Sequence, residues 1–284
     1  MKKFIAAFTL FLLIIFYSNE MKAQVTQEWV ATYNGVGNGS NVPKKNAVDK
    51  FGNIIIVGRS ENSSFNDDFI TLKYNPSGNL MWSKRYNGIG NGDDAIVATV
   101  LDDSNNIYVT GYSQEGVAFG GYNWVTIKYF PNGDIAWKRS FNWIANGTDE
   151  PFAMAIDKSR NLCITGYARI TPPIDDDIIT LKYNPNGDLL WSKAYTSNTN
   201  GQDWGYSIAT DDSNKIYVTG YVSVYPGNRV TTIKYNSNGD TEWIQYFPTN
   251  YGDYLRKAYV TVDKNNDIIA VSYTHLTLPT NREV

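Results

Sequence analysis

The chain has almost none of the side chains on which conventional active sites are built. Its 284 residues include one cysteine, Cys163, and one histidine, His275. A single thiol excludes an internal disulfide. Cys163 lies in the apolar run Leu162-Cys163-Ile164-Thr165, where a cysteine acts as a small hydrophobe rather than a nucleophile. Between residues 24 and 271 there is no histidine, so no Ser-His-Asp set, Cys-His pair or zinc-spaced cluster can be assembled there. Basic charge is also scarce: 25 Lys and Arg stand against 28 Asp and Glu, a net charge of −3. Without a basic patch there is no electrostatic footprint for nucleic acid or an anionic membrane. Helical periodicity is missing throughout.

Long apolar runs are limited to Phe4–Tyr17, which follows Lys2-Lys3 and precedes Met21-Lys22-Ala23. A basic start, an apolar stretch and a small residue before Gln24 read as a secretory signal over residues 1–23. A membrane anchor is the competing reading, but the run is shorter than the roughly 20 residues needed to span a bilayer. The expectation is an exported protein, secreted or held at the bacterial cell surface.

What is present repeats. Trp29, Trp82, Trp137, Trp191 and Trp243 are spaced by 53, 55, 54 and 52 residues. Asp49, Asp102, Asp157, Asp211 and Asp263 keep the same period, and the first four are followed nine residues later by Gly58, Gly111, Gly166 and Gly220. Lys-Tyr pairs recur at 73–74, 128–129, 182–183 and 234–235. A period of about 50 residues marks a stacked-repeat architecture. Each period holds four strand-like runs, rich in Val, Ile, Thr and aromatics and separated by Asp/Asn and Pro/Gly turns. In the second repeat the runs are 95–101, 106–113, 122–129 and 134–141.

Four antiparallel strands per period describe a β-propeller blade; a β-solenoid, with shorter coils, is the runner-up. The segments Asn106–Ser113, Val125–Tyr129 and Gly187–Tyr195 resemble the SBBP family, the seven-bladed propeller repeats of secreted bacterial proteins. The resemblance implies an exported propeller and no defined activity, since the family has no catalytic signature to carry over. The expected fold is therefore all-β, a propeller over residues 24–271 with blades of about 53 residues. An outer strand at 28–34, four complete sets near 46–86, 93–141, 149–196 and 203–247, and two further strands to about 271 amount to some 4.5 blades. Residues 272–284 follow no part of the repeat and resemble a translated adaptor; a divergent capping segment is the alternative.

The recurring Trp and Lys-Tyr positions are expected to pack blades together, with lysine stems covering apolar surface, rather than to stack on sugars. The loops between the second and third strands vary most, at 60–67, 114–121, 169–177 and 223–229, and variable loops on a regular scaffold are where recognition is installed. This selects Asp67, Asp68, Asp175, Asp176 and Asp177, with Trp124 and Tyr225, as candidate contacts for an extracellular protein or a glycan. Asp94, Asp149, Asp203 and Asp253 precede the first strand of successive blades; they either cap inter-blade turns or gather to hold Ca²⁺. A non-enzymatic binding or structural scaffold is the favoured function. An extracellular glycan-active hydrolase or lyase using loop carboxylates is the competing class.

Overall fold

The computed structural model describes residues 27–115, 121–143, 147–170, 175–197, 201–224, 227–248 and 258–272. The segment expected to be a signal, most of the tail with His275, Tyr225 and Asp253 lie outside the described residues. By chain contacts, residues 1–30 form one unit and residues 31–284 another, and the sheets all belong to the second.

Eighteen strands are described, all antiparallel to their sheet neighbours. The first sheet is β1 (Asn41–Val48), β2 (Ile54–Glu61), β3 (Asp67–Tyr74) and β4 (Leu80–Tyr86), ordered as in the chain. The second is β5 (Asp94–Leu101), β6 (Ile107–Ser113), β7 (Asn123–Tyr129) and β8 (Ile135–Phe141). The third is β9 (Asp149–Ile156), β10 (Leu162–Ile170), β11 (Asp175–Tyr183) and β12 (Leu189–Tyr195). The fourth is β13 (Trp204–Thr210), β14 (Ile216–Val224), β15 (Gly227–Tyr235) and β16 (Thr241–Pro248); a pair, β17 (Ala258–Val262) and β18 (Ile268–Ser272), follows. These are the blades expected from the period, as four-stranded meanders of a propeller-like fold. One correction applies. Residues 27–35 carry no regular secondary structure, so the outer strand expected at 28–34 is not formed. Tyr33 instead packs beside Ile70, Leu72 and Tyr74. Among the described residues no ladder joins the first sheet to the last.

The second and third strands of the second and third blades lie between neighbouring sheets. That is why β6, β7 and β11 are buried along most of their length and read as near-continuous apolar runs. The cores lie between blades: Ile55, Val57 and Phe69 of the first pack with Ile107, Val109 and Val125 of the second.

Turns explain the recurring aspartates and glycines. Asp102 Oδ1 accepts the amides of Ser104 and Asn106, each at 2.9 Å, and Asp211 Oδ1 accepts those of Ser213 at 2.8 Å and Lys215 at 2.9 Å. The third residue after the aspartate takes a left-handed φ, +60° at both Asn105 and Asn214. In the turns between third and fourth strands, Gly133, Gly187 and Gly239 have φ of +89°, +82° and +86°.

The same turns clamp one blade to the next. Trp82 Nε1 and Lys73 Nζ both donate to the Pro131 carbonyl of the following blade, each at 3.2 Å. Trp137 and Lys128 both donate to Pro185 O at 3.0 Å. Trp191 and Lys182 donate to Ser237 O at 3.1 and 3.2 Å. Each indole lies so close to the next glycine that a β-carbon on Gly187 would meet the Trp137 ring at 2.7 Å. The tryptophans are thus packing residues. The lysines differ from expectation: Lys73 and Lys182 are buried whole and pair with the recurring Asp49 and Asp157 at 3.0 and 2.9 Å. An ammonium with no access to water keeps its charge only beside a carboxylate, so the two ladders are one structural device.

Candidate functional site

The first strands β1, β5, β9, β13 and β17 together enclose a cavity of about 630 Å³. Each of the first four carries a β-bulge against its second strand. Ladder pairing passes over Lys44, Val97, Phe152 and Tyr206, one residue per blade. Opposite each bulge stands the recurring glycine. A methyl group on Gly58, Gly111, Gly166 or Gly220 would overlap the carbonyl oxygen of Val42, Ala95, Glu150 or Trp204. Glycine therefore recurs because the bulged backbone fills the space a β-carbon needs. A bulge re-aims its extra side chain, and all four bulge residues line the cavity. The repeated glycine thereby faces a position that holds a different residue in each of the four blades.

The cavity walls differ in chemistry. Blade one contributes Lys44, Lys45 and Asn46, all exposed. Blades three and four contribute aromatics. Phe152 and Tyr206 stack with ring centroids 5.2 Å apart at 16°. Behind them Tyr167 and Trp204 stack at 5.2 Å, and Tyr221 lies 5.6 Å from Tyr206. Such contacts fix ring orientation as well as burying area. Tyr112 and Tyr259 also face the cavity, the latter 49 % exposed. Glu150 lines the rim; burial pushes its carboxyl up, a hydrogen bond with Tyr167 and the Arg169 charge opposing.

The carboxylates selected from the variable loops lie in strands and serve the scaffold. Asp175, Asp176 and Asp177 belong to β11, where Ala168 pairs with Asp177 and Arg169 with Asp176. Asp176 is fully buried, held by Arg169 Nε at 2.7 Å, Arg169 Nη2 at 3.0 Å and Trp204 Nε1 at 2.9 Å. Asp68 is buried against Arg85 and Asn62, each at 2.8 Å. Asp177 is buried, which raises its carboxyl against a hydrogen bond from Thr196. Trp124 is 1 % exposed and donates to Tyr167 O at 3.3 Å. Asp67 pairs with Arg59 at 2.8 Å, and Asp175 accepts the Gly201 amide at 3.1 Å. Of this set Asp67 and Asp175 are half-buried, and the others described are withdrawn from solvent. The carboxylates of Asp67, Asp68 and Asp176 at these strand ends are paired with partly exposed arginines, which a reading by loop position does not reveal.

Asp94 and Asp149 open β5 and β9, Asp203 immediately precedes β13, and all three are fully buried. Asp94 accepts the amides of Gly88 at 2.6 Å and Gln114 at 3.1 Å, Asp149 that of Trp143 at 2.8 Å, and Asp203 those of Ser197 at 2.5 Å and Ser223 at 2.9 Å. Burial raises all three carboxyls to about 6 despite these bonds. Among the described residues no three acidic, histidine or cysteine side chains gather as a metal site. A second cavity, of about 600 Å³, opens among the turns after the first strands. Its recurring Asp102, Asp157 and Asp211 are engaged by those turns.

Residues 191–223, from β12 into β14, match the family described as SBBP, Beta-propeller repeat. No curated protein matches the chain in sequence. Among solved structures, a protein of unknown function from Dyadobacter fermentans DSM 18053 aligns with a TM-score of 0.52 at 11 % identity, over 82 % of this chain and 75 % of that one. A polysaccharide lyase, ulvan lyase, aligns at 0.49 and 13 % identity over 87 % and 68 % of the two chains. An endo-arabinase from Bacteroides thetaiotaomicron VPI-5482 aligns at 0.42 and 14 % identity over 81 % and 87 %. At such identities the likeness concerns the fold alone. No helix among the described residues is long and apolar enough to cross a membrane.

Proposed function

We propose that this chain is an exported, non-enzymatic β-propeller scaffold that binds a short oligosaccharide in the cavity formed by its first strands. The carrying observation is the bulge set, which turns Phe152 and Tyr206 into a stacked aromatic wall of a cavity of about 630 Å³. That volume falls inside the roughly 300–1,000 Å³ usual for small-molecule sites. Aromatic faces beside polar groups suit a sugar ring, whose C–H face is apolar and whose rim is hydroxylated. The reading of residues 1–23 as a secretory signal, from Lys2-Lys3 and the apolar run after them, supports export. The test is calorimetric titration of the full chain with oligosaccharides. Binding lost in a Phe152→Ala/Tyr206→Ala variant of unchanged circular dichroism supports the site. Undiminished binding in that variant moves recognition elsewhere.

A glycan-active enzyme is the second reading, favoured by one observation. Glu150, at the rim of the same cavity, has a carboxyl raised by burial and a tyrosine hydroxyl bonded to it, the state wanted in a general acid. Oligosaccharide cleavage abolished by Glu150→Gln would establish it, whereas binding without turnover supports the scaffold.

A further inference from the structure

We infer that the ligand of the central cavity is an anionic oligosaccharide, its carboxylate or sulfate groups met by Lys44 and Lys45. The inference rests on the binding reading above and adds the charge of the ligand. It starts from which positions of the first strand the scaffold needs. The turn aspartate, the glycine across the bulge, the lysine and the tryptophan recur because they build blades. The bulge position differs in all four blades, and the one after it is a lysine in the first blade alone. They hold Lys44 and Lys45 in the first blade, Val97 and Ala98 in the second, Phe152 and Ala153 in the third, Tyr206 and Ser207 in the fourth. A lysine there is not required by the repeat.

Nor does the fold occupy these lysines. The recurring Lys73 and Lys182 are buried and ion-paired, whereas Lys44 and Lys45 are exposed. Among the described residues neither takes part in an ion pair. Among the described residues they are the two cations lining the cavity, and its one carboxylate, Glu150, is engaged by Tyr167. The chain as a whole is acidic, at −3, so a locally cationic wall is set against the average of the molecule. Lysine is a mobile point charge rather than a fork, which suits acidic groups placed variably along a sugar chain. The cavity thus pairs an aromatic wall from blades three and four with an ammonium wall from blade one. A neutral sugar would leave the second unused.

The experiment is calorimetric titration of the full chain at about 50 mM salt with three probes: tetragalacturonate, a sulfated carrageenan tetrasaccharide and neutral cellotetraose. At least one charged probe is expected to bind about tenfold tighter than cellotetraose, the effect of two exposed ion pairs. The preference should disappear at about 0.5 M salt. Lys44→Gln/Lys45→Gln should lower affinity for the charged probe to that for the neutral one without changing the latter. Which charged probe gains distinguishes carboxylate from sulfate recognition. Equal affinity for all three, or a preference that survives the double lysine change, overturns the inference and leaves the binding site standing. No binding of any probe counts against both.

Discussion

Replacing Lys182 with methionine tests whether the clamp between blades is the energetic centre of the fold. The ammonium lies 2.9 Å from Asp157 Oδ2 and 3.2 Å from Ser237 O, with 2 % of its side chain exposed and none of the aspartate's. Methionine keeps most of the volume, so the change removes charge more than packing. Asp157 would keep hydrogen bonds from the Asn161 amide at 2.8 Å and side chain at 3.0 Å, but lose its only cation within ion-pair distance among the described residues. Ser237 O would keep the Trp191 donor at 3.1 Å. A buried carboxylate stripped of its partner costs about 3–5 kcal/mol, far more than the lost carbonyl contact. Adding Asp157→Asn removes the orphaned charge and should bring the double variant back to within about 2 kcal/mol of wild type. Lys128→Met provides the contrast. Lys128 donates to Pro185 O at 3.0 Å, while Asp102 Oδ2 is bonded by Asn106 at 2.8 Å and Tyr108 at 3.1 Å. With no ion pair broken, its loss should cost only about 1–2 kcal/mol. Urea unfolding followed by circular dichroism and tryptophan fluorescence supplies the numbers, an unchanged slope confirming the same cooperative unit. A Lys182→Met cost under about 1 kcal/mol, or a double variant no better than the single, would refute the clamp as an electrostatic device.

Three further outcomes are expected. Gly111→Ala should destabilise by about 2 kcal/mol or more, because its methyl overlaps the Ala95 carbonyl and the bulge must open; thermal melting checks this, and a neutral effect would separate the glycine from the bulge. Asp94, Asp149 and Asp203 have native carboxyls near 6 against an ordinary 3.8, so the folded chain holds more protons between those values. Their contribution to stability is complete below about pH 4 and is lost as pH rises through 6; the melting temperature should fall from pH 5 to pH 7, with a smaller fall in Asp203→Asn. Because Asp94, Asp149 and Asp203 each accept nearby backbone amides, millimolar Ca²⁺ should leave the melting temperature unchanged; a rise abolished by Asp149→Asn/Asp203→Asn would assign them a metal.

Much of the blade was legible because its signals are local and repeated. Asx turns announce themselves as Asp-x-x-Asn, and strand runs bounded by Pro-Asn-Gly leave little choice of meander. The bulge was not legible. Counting alternate residues along β5 assigns Val97 to a face by parity, and an extra residue silently reverses that parity. A glycine at constant distance from the turn aspartate was the available clue, since a strand interior disfavours glycine unless another backbone approaches it. The variability of residues 169–177 points to a loop at Asp175, Asp176 and Asp177, and aspartate is depleted in strands. Arg169, seven residues away, and Trp204, twenty-eight away, hold Asp176 within β11. The Lys73–Asp49 and Lys182–Asp157 pairs were equally hidden: each residue recurred, but nothing in one dimension says that two ladders meet.

The blade separates building from recognition along a single strand. At one end the turn aspartate, lysine and tryptophan bind each blade to its neighbour through buried polar contacts. Substitution there costs whole ion pairs in the first and third blades. Five residues before that aspartate, the backbone itself takes up the irregularity: the bulge is accommodated by a facing glycine, whatever side chain the bulged residue carries. A charged lysine, an aliphatic valine and two aromatics occupy the position in the same register in four blades. Cavity chemistry can therefore change one blade at a time without disturbing the clamp, because the two depend on different atoms: carbonyl and carboxylate oxygens in one case, the absence of a β-carbon in the other. A scaffold so divided accepts new ligands by exchange of four side chains, and places a cationic and an aromatic wall in one cavity without any blade carrying both.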